Sequence, residues 1–211
     1  MIQFITHTNE RYDYIDGVQM ALEGGCRWIQ LRMKDASEET FLKTAETTRV
    51  LCKQYDSVFI LDDHVEWVEK IGADGVHLGK DDMPIDKARQ LLGKDKIIGG
   101  TANTFEDVKR IFLAGADYIG CGPFRYTTTK KKLSPVLGLD GYRQIISQMK
   151  TLGINLPVIA IGGILLSDVA DIMTTGVSGI AVSGGVLTAN NGNDPIITMT
   201  RFINKLKSCN K

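Results

Sequence analysis

Short runs of β-branched and apolar residues recur along the chain, most of them bounded by glycine, aspartate or asparagine. They fall at Ile2–Thr6, Trp28–Arg32, Val58–Leu61, Gly75–His77, Ile97–Thr101, Tyr118–Cys121, Val158–Ile161 and Gly179–Val182, and each reads as a strand. Between them, apolar positions repeat at three- and four-residue steps, the spacing of one helical face. Over Thr40–Tyr55 that stripe is Phe41, Ala45, Thr48 and Cys52, and over Phe105–Ala114 it is Val108, Ile111 and Phe112. Three helical segments end alike: Gly24-Gly25 precedes the second strand, Gly72-Ala73-Asp74 the fourth, and Gly115-Ala116-Asp117 the sixth. Glycine suits the position after a helix, where the chain often turns left-handed. Repeated βα modules of this kind predict an α/β fold, a single (β/α)8 TIM barrel of parallel strands over residues 1–211. An open, doubly wound sheet is the competing arrangement. No linker, low-complexity stretch or charge block marks a second domain.

Composition then narrows the function classes. Lys plus Arg number 25 and Asp plus Glu also number 25. That balance argues against a nucleic-acid partner, which needs a dense basic face. An anionic ligand must therefore be held by a local cluster of donors. Cys26, Cys52, Cys121 and Cys209 show neither CxxC nor metal-type spacing, and Cys26 and Cys121 sit at apolar runs where a thiol behaves as a small hydrophobe. A reducing, cytoplasmic location is expected. The amino terminus lacks the basic start and long apolar stretch of a secretory signal. No window nears the roughly 18 apolar residues of a membrane span, so a soluble protein without a membrane partner is expected.

On a barrel of this kind, chemistry belongs at the carboxyl ends of the strands. In the second strand, period-two alternation puts Gln30, Arg32 and Lys34 on one side and Ile29, Leu31 and Met33 on the other. The apolar set suits the helix layer, leaving an amide and two cations at the mouth. Their charge needs a bound anion or an internal ion-pair network, and three alternating polar residues point to a polyanion. Asp62-Asp63 and Asp81-Asp82 end up beside adjacent strands. One aspartate from each pair, Asp63 and Asp82, would suit Mg2+, which completes its shell with water and phosphate oxygens. Helix capping is the other reading, and it weighs most for Asp62 and Asp81. The segment from Gly122 to Lys132 offers threonine hydroxyls and lysines as phosphate donors. Gly162-Gly163 and Ser183-Gly184-Gly185 follow the seventh and eighth strands, where barrels often hold a phosphate on backbone N–H groups. Two anion sites favour transfer between phosphorylated partners, with a charge-neutralised diphosphate as the leaving group. His7, His64 and His77 show no ligand spacing, and His77 reads as a structural core histidine.

Several strings then align with one family. Gln30-Leu31-Arg32-Met33-Lys34, Ala73-Asp74-Gly75-Val76-His77-Leu78-Gly79-Lys80-Asp81-Asp82, Ala116-Asp117-Tyr118-Ile119-Gly120-Cys121-Gly122-Pro123, Thr127-Thr128-Thr129-Lys130 and Ala160-Ile161-Gly162-Gly163-Ile164 together resemble thiamin phosphate synthase. The resemblance is collinear over nearly the whole chain, although the last motif occurs in many phosphate-binding barrels. It implies a Mg2+-assisted transferase of thiamin biosynthesis that joins hydroxymethylpyrimidine diphosphate to thiazole phosphate, releasing diphosphate. By that likeness Arg32, Lys34 and Lys130 serve catalysis, while Gln30, Asp62 and Thr101 contact the pyrimidine diphosphate. Thr127, Thr129, Gly162, Gly163, Ser183 and Gly184 would hold thiazole phosphate, and Asp63 and Asp82 the metal. Homo-oligomerisation is left open.

The chain departs from that family pattern at four places. Met33 stands for a usual Glu, Asp62 for Asn, Thr101 for Ser and Tyr126 for Pro. Asp62 adds negative charge to an anion site, which makes its role the open question. Two other functions compete: a thiazole tautomerase-like barrel, which needs no complete Mg2+ and diphosphate set, and a non-catalytic phosphate-ligand sensor.

Overall fold

The computed structural model describes residues 1–126, 135–187 and 194–209. Eight strands pair in chain order and close: β1 (Ile2–Ile5), β2 (Trp28–Leu31), β3 (Val58–Asp62), β4 (Gly75–Leu78), β5 (Ile97–Ala102), β6 (Tyr118–Cys121), β7 (Val158–Ile161) and β8 (Gly179–Val182). Every pairing is parallel, including the β1–β8 seam that shuts the barrel. The closed, eight-stranded barrel is thus present and the open sheet is excluded.

Around it pack α1 (Tyr14–Glu23), α2 (Glu38–Gln54), α3 (Val68–Ile71), α4 (Ile85–Leu92), α5 (Phe105–Leu113), α6 (Gly138–Thr151), α7 (Val169–Thr174), α8 (Gly184–Leu187) and α9 (Pro195–Cys209). Side chains fix where several begin. Asp13 and Asp16 form a capping box on α1, Ser37 caps α2, and Thr104 and Asp107 form a second box on α5. The α2 stripe of Phe41, Ala45, Thr48 and Cys52 is buried as its spacing predicts. On α5, Val108 and Ile111 are buried, but Phe112 is 41% exposed. One residue beyond Ile111 turns a helix by about 100°, which carries Phe112 off the inward face.

The Gly-Ala-Asp units have a common construction. Gly72 and Gly115 adopt positive φ of 74° and 85° at the helix ends. Ala73 and Ala116 are buried. Asp74 then accepts the Phe59 N–H at 2.7 Å, and Asp117 accepts the Ile98 N–H at 2.7 Å. Each aspartate thereby pins its own strand to the preceding one at the barrel's lower rim.

Outward-facing strand residues such as Phe4, Ile29, Leu31, Val76 and Ile119 join the helices in one apolar layer. A smaller cluster of Ile5, Tyr118, Ile159 and Ala181 plugs the barrel itself. Above that plug the interior turns polar and opens. Among the described residues, no helix is long and apolar enough to cross a membrane.

Candidate functional site

A cavity of about 980 Å³ lies at the carboxyl ends of the strands. Strand β2 supplies its cationic wall as the alternation predicts. Ile29, Leu31 and Met33 are buried toward the helices, whereas Gln30, Arg32 and Lys34 line the cavity. Regular pairing stops one residue short of the expected strand ends at Thr6 and Arg32. The Thr6 hydroxyl continues it, accepting the Arg32 N–H at 2.8 Å and donating to the Arg32 carbonyl at 3.1 Å. The guanidinium therefore leaves the barrel from a fixed backbone.

Both cations face carboxylates of β3 and the loop after it. Arg32 Nε lies 3.5 Å from Asp62 Oδ2, Lys34 Nζ lies 3.8 Å from the same oxygen, and Lys34 is also bonded to Asp63. Burial pulls the Lys34 ammonium's pKa down, but Asp63, Asp62 and Asp82 outweigh it and hold that pKa above its ordinary value. His7, which also lines the cavity, has its pKa held below the usual value by burial and by the Arg32 charge. The internal ion-pair network that competed with an anion site is thus present. Arg32 and Lys34 nevertheless keep 22% and 43% of their side-chain surface exposed, so an anion can reach them.

The two proposed metal aspartates meet. Asp63 sits at φ 69° after β3, and Asp82 returns over the turn after β4 to accept the Gly79 N–H at 2.6 Å. A Cβ on residue 79 would stand 2.7 Å from that carboxylate oxygen, so a larger residue there would push the Asp82 carboxylate aside. Burial raises the Asp82 pKa first, and contact with the Asp63 carboxyl raises it further, against the opposing pull of the Gly79 N–H. Two carboxyls in contact form a hard-oxygen pair that a divalent cation would relieve. Among the described residues no three His, Cys, Asp or Glu side chains gather as a metal site. A Mg2+ ion here would therefore draw its remaining ligands from water and substrate. Asp81 is exposed and lines the cavity, as Asp63 does, whereas Asp82 reaches it only through its contact with Asp63.

The opposite wall is built from loops. Gly162 and Gly163 adopt φ of 103° and 67° after β7. Both line the cavity with Ser183, Gly184 and Gly185. The close approach is structural as well: a Cβ at Gly162 would meet Pro123 at 2.7 Å and one at Gly163 would meet Arg125 at 2.5 Å. Among the described residues Ser183 Oγ is buried without a hydrogen-bond partner, a polar group awaiting one. Thr127, Thr129 and Lys130 lie outside the described residues.

Two features escaped the sequence reading. Arg125 donates to the Gly163 carbonyl at 3.2 Å and pairs with Asp168 at 2.7 Å, joining the loop after β6 to the one after β7. Thr101 lines the cavity, yet its Oγ1 lies 2.9 Å from His77 Nε2. His77 is buried, as expected of a core histidine, but it also lines the cavity floor. Gly99 and Gly120, glycines inside strands, were the available signal, because such glycines mark close approach by another group.

This geometry has counterparts among known proteins. The sequence model of a family described as "Thiamine monophosphate synthase" matches residues 2–186. The thiamine-phosphate synthase of Phocaeicola vulgatus is 61% identical over 203 residues, covering 96% of each chain. That of Bacteroides fragilis is 59% identical over 203 residues, covering 96% of this chain and 98% of its own. A thiamine phosphate pyrophosphorylase structure from Pyrococcus furiosus superposes with a TM-score of 0.86 at 32% identity, covering 99% of this chain and 96% of that one. Matches of this extent, on a barrel whose mouth carries the expected cationic and glycine-lined walls, establish that the chain belongs to the thiamine monophosphate synthase family.

Proposed function

We propose that this protein is a transferase that condenses hydroxymethylpyrimidine diphosphate with thiazole phosphate, giving thiamin phosphate and diphosphate. The observation that carries this reading is one cavity with two unlike walls. Arg32, Lys34 and Asp63, whose carboxyl meets Asp82 behind it, stand on one side, and Gly162, Gly163, Ser183 and Gly184 on the other. A cavity of about 980 Å³ has room for two small ligands side by side.

In the reaction, the bond between the pyrimidine methylene carbon and the diphosphate oxygen breaks, and its electron pair leaves with the diphosphate. The thiazole ring nitrogen then supplies the pair that forms the new carbon–nitrogen bond. Arg32 and Lys34 hold the departing group by charge-assisted hydrogen bonds that strengthen as its charge grows. Gln30 lies at the cavity floor with its Oε1 buried and unpartnered among the described residues, an acceptor for a ring N–H donor. Mg2+, held by Asp63 and Asp82, would neutralise charge on the diphosphate when bound. Thr101 contacts the same group, and Thr127, Thr129 and Lys130 serve the roles that the family likeness gives them. Ser183 Oγ and the N–H groups of Gly162, Gly163 and Gly184 hold the thiazole phosphate. The cysteines Cys26, Cys52, Cys121 and Cys209 are free, in keeping with a cytoplasmic location.

Mixing the protein with both purified substrates and Mg2+ should yield thiamin phosphate and diphosphate in equal amounts. If neither product forms while both ligands demonstrably bind, the transferase reading fails.

A further inference from the structure

Within the barrel, four polar side chains from four strands run in one line. Gln3 Nε2 donates to the Tyr118 hydroxyl oxygen at 3.3 Å. That hydroxyl lies 3.0 Å from His77 Nδ1, and His77 Nε2 lies 2.9 Å from Thr101 Oγ1. Gln3, Tyr118 and His77 are buried, while Thr101 opens onto the cavity. The strands make room for the line by omitting side chains. A Cβ at Gly99 would stand 2.1 Å from the Tyr118 ring, and one at Gly120 would stand 2.8 Å from His77 Cε1.

The donors dictate a direction. A phenol has one proton to give. Gln3 donates through its amide N–H and so cannot take the phenolic proton, which is left to serve His77 Nδ1. Burial pushes the Tyr118 pKa up, which keeps that proton in place. With Nδ1 accepting, the imidazole proton sits on Nε2 and is donated to Thr101 Oγ1. The Thr101 hydroxyl proton is then turned away from His77, toward the cavity.

We propose that Gln3, Tyr118 and His77 form a one-way hydrogen-bond relay that makes Thr101 an obligate donor to the bound diphosphate. The inference rests on the assignment of Thr101 to that diphosphate under the proposed function. Gln3 and Tyr118 do not line the cavity; they are positioning residues that act through His77. With the imidazole proton on Nδ1 instead, His77 would take the threonine proton and present oxygen lone pairs to an anion.

The relay is tested on the full-length protein by 15N NMR of labelled histidines, with His77→Gln assigning the His77 signals. The ring should carry its proton on Nε2 and leave Nδ1 as an acceptor. Tyr118→Phe should move the proton and raise KM for the pyrimidine diphosphate about ten- to a hundredfold, as loss of a hydrogen bond to a charged group does, with KM for thiazole phosphate unchanged. In a Thr101→Val background, Tyr118→Phe should add no further loss. His77→Gln, whose amide keeps one acceptor and one donor, should retain more turnover than His77→Leu. A wild-type ring protonated on Nδ1 or on both nitrogens overturns the relay, as do additive effects of the two substitutions. An unchanged KM in Thr101→Val, with the Nε2 proton confirmed, overturns the diphosphate assignment of Thr101 instead.

Discussion

Gln30 Nε2 donates to Asp62 Oδ1 across 2.5 Å, joining two buried polar groups of adjacent strands at the cavity floor. The amide's orientation follows from that bond: with Nε2 engaged, Oε1 is left as the acceptor. The other Asp62 oxygen faces Arg32 and Lys34. A carboxylate at this position is therefore a resident counter-ion, occupying cations that an incoming diphosphate must win over. This accounts for an acidic residue where the family likeness implies asparagine.

Asp62→Asn tests that account. Asparagine keeps an acceptor for Gln30 but removes the charge beside Arg32 and Lys34. Affinity for inorganic diphosphate with Mg2+ should rise about fivefold, equivalent to roughly 1 kcal/mol. The ligand-free protein should lose about 1–2 kcal/mol of stability, because hydrogen bonds to a charged group are given up. Calorimetric titration and urea denaturation read the two effects separately. Unchanged affinity would mean that Asp62 does not compete with the anion.

Asp63→Asn separates the two walls. The residue occupies a left-handed φ of 69°, which asparagine tolerates as well as aspartate, so the fold should persist. Turnover at limiting Mg2+ should fall by at least about tenfold, with partial recovery at high Mg2+. Thiazole phosphate binding, measured by calorimetry, should stay within about twofold, because its wall lies across the cavity. Comparable losses in both measurements would contradict two separate anion sites.

How far the sequence foretells this arrangement depends on the range of the interaction. The barrel is legible because strand runs and helix stripes are local patterns, as in the β2 alternation of Gln30, Arg32 and Lys34. The glycine pairs after β7 and β8 are legible once the strands are numbered. What joins residues far apart in the chain is not. Nothing near Arg125 announces Asp168, whereas the meeting of Asp63 and Asp82 is foreseeable only because both follow adjacent strands. Phe112 shows the opposite failure, a spacing argument extended one residue past the buried stripe. The paired aspartates of the Gly-Ala-Asp units were visible as a repeat, but their bonds to the preceding strands needed the register.

Asp107 gives a pH-dependent prediction away from the site. Burial alone would raise its pKa, but bonds from Lys80, the Asn103 backbone N–H and the Thr104 hydroxyl overcome that and hold it below the usual carboxylate value. A depressed folded-state pKa contributes stability above the unfolded value of about 3.9 and loses it as pH falls through the folded value. Asp107→Asn should therefore cost about 1–2 kcal/mol at pH 7, the range for a lost helix cap. The gap between variant and wild type should close below about pH 3.9. Denaturant midpoints at pH 7 and in acid check the sign, and a gap that widens in acid would refute it.

Arg125 provides the means of perturbing the thiazole phosphate wall alone. One guanidinium nitrogen reaches the Gly163 carbonyl and another reaches Asp168, whose second oxygen accepts the Leu165 N–H at 2.7 Å. Its carbon centre lies 5.0 Å from the Phe124 ring centroid. A planar fork is required to span these partners at once, and a lysine ammonium is a single point of charge. Arg125→Lys should therefore free the Gly162–Gly163 turn while keeping the local positive potential. KM for thiazole phosphate should rise about tenfold, since positioned backbone donors lose their alignment. KM for the pyrimidine diphosphate should hold, because Arg32 and Lys34 stand on the other wall. The melting temperature should fall by only a few degrees, since partly exposed ion pairs contribute about 1 kcal/mol or less. Steady-state kinetics with each substrate varied in turn distinguishes this from a general loosening, in which both KM values would climb together.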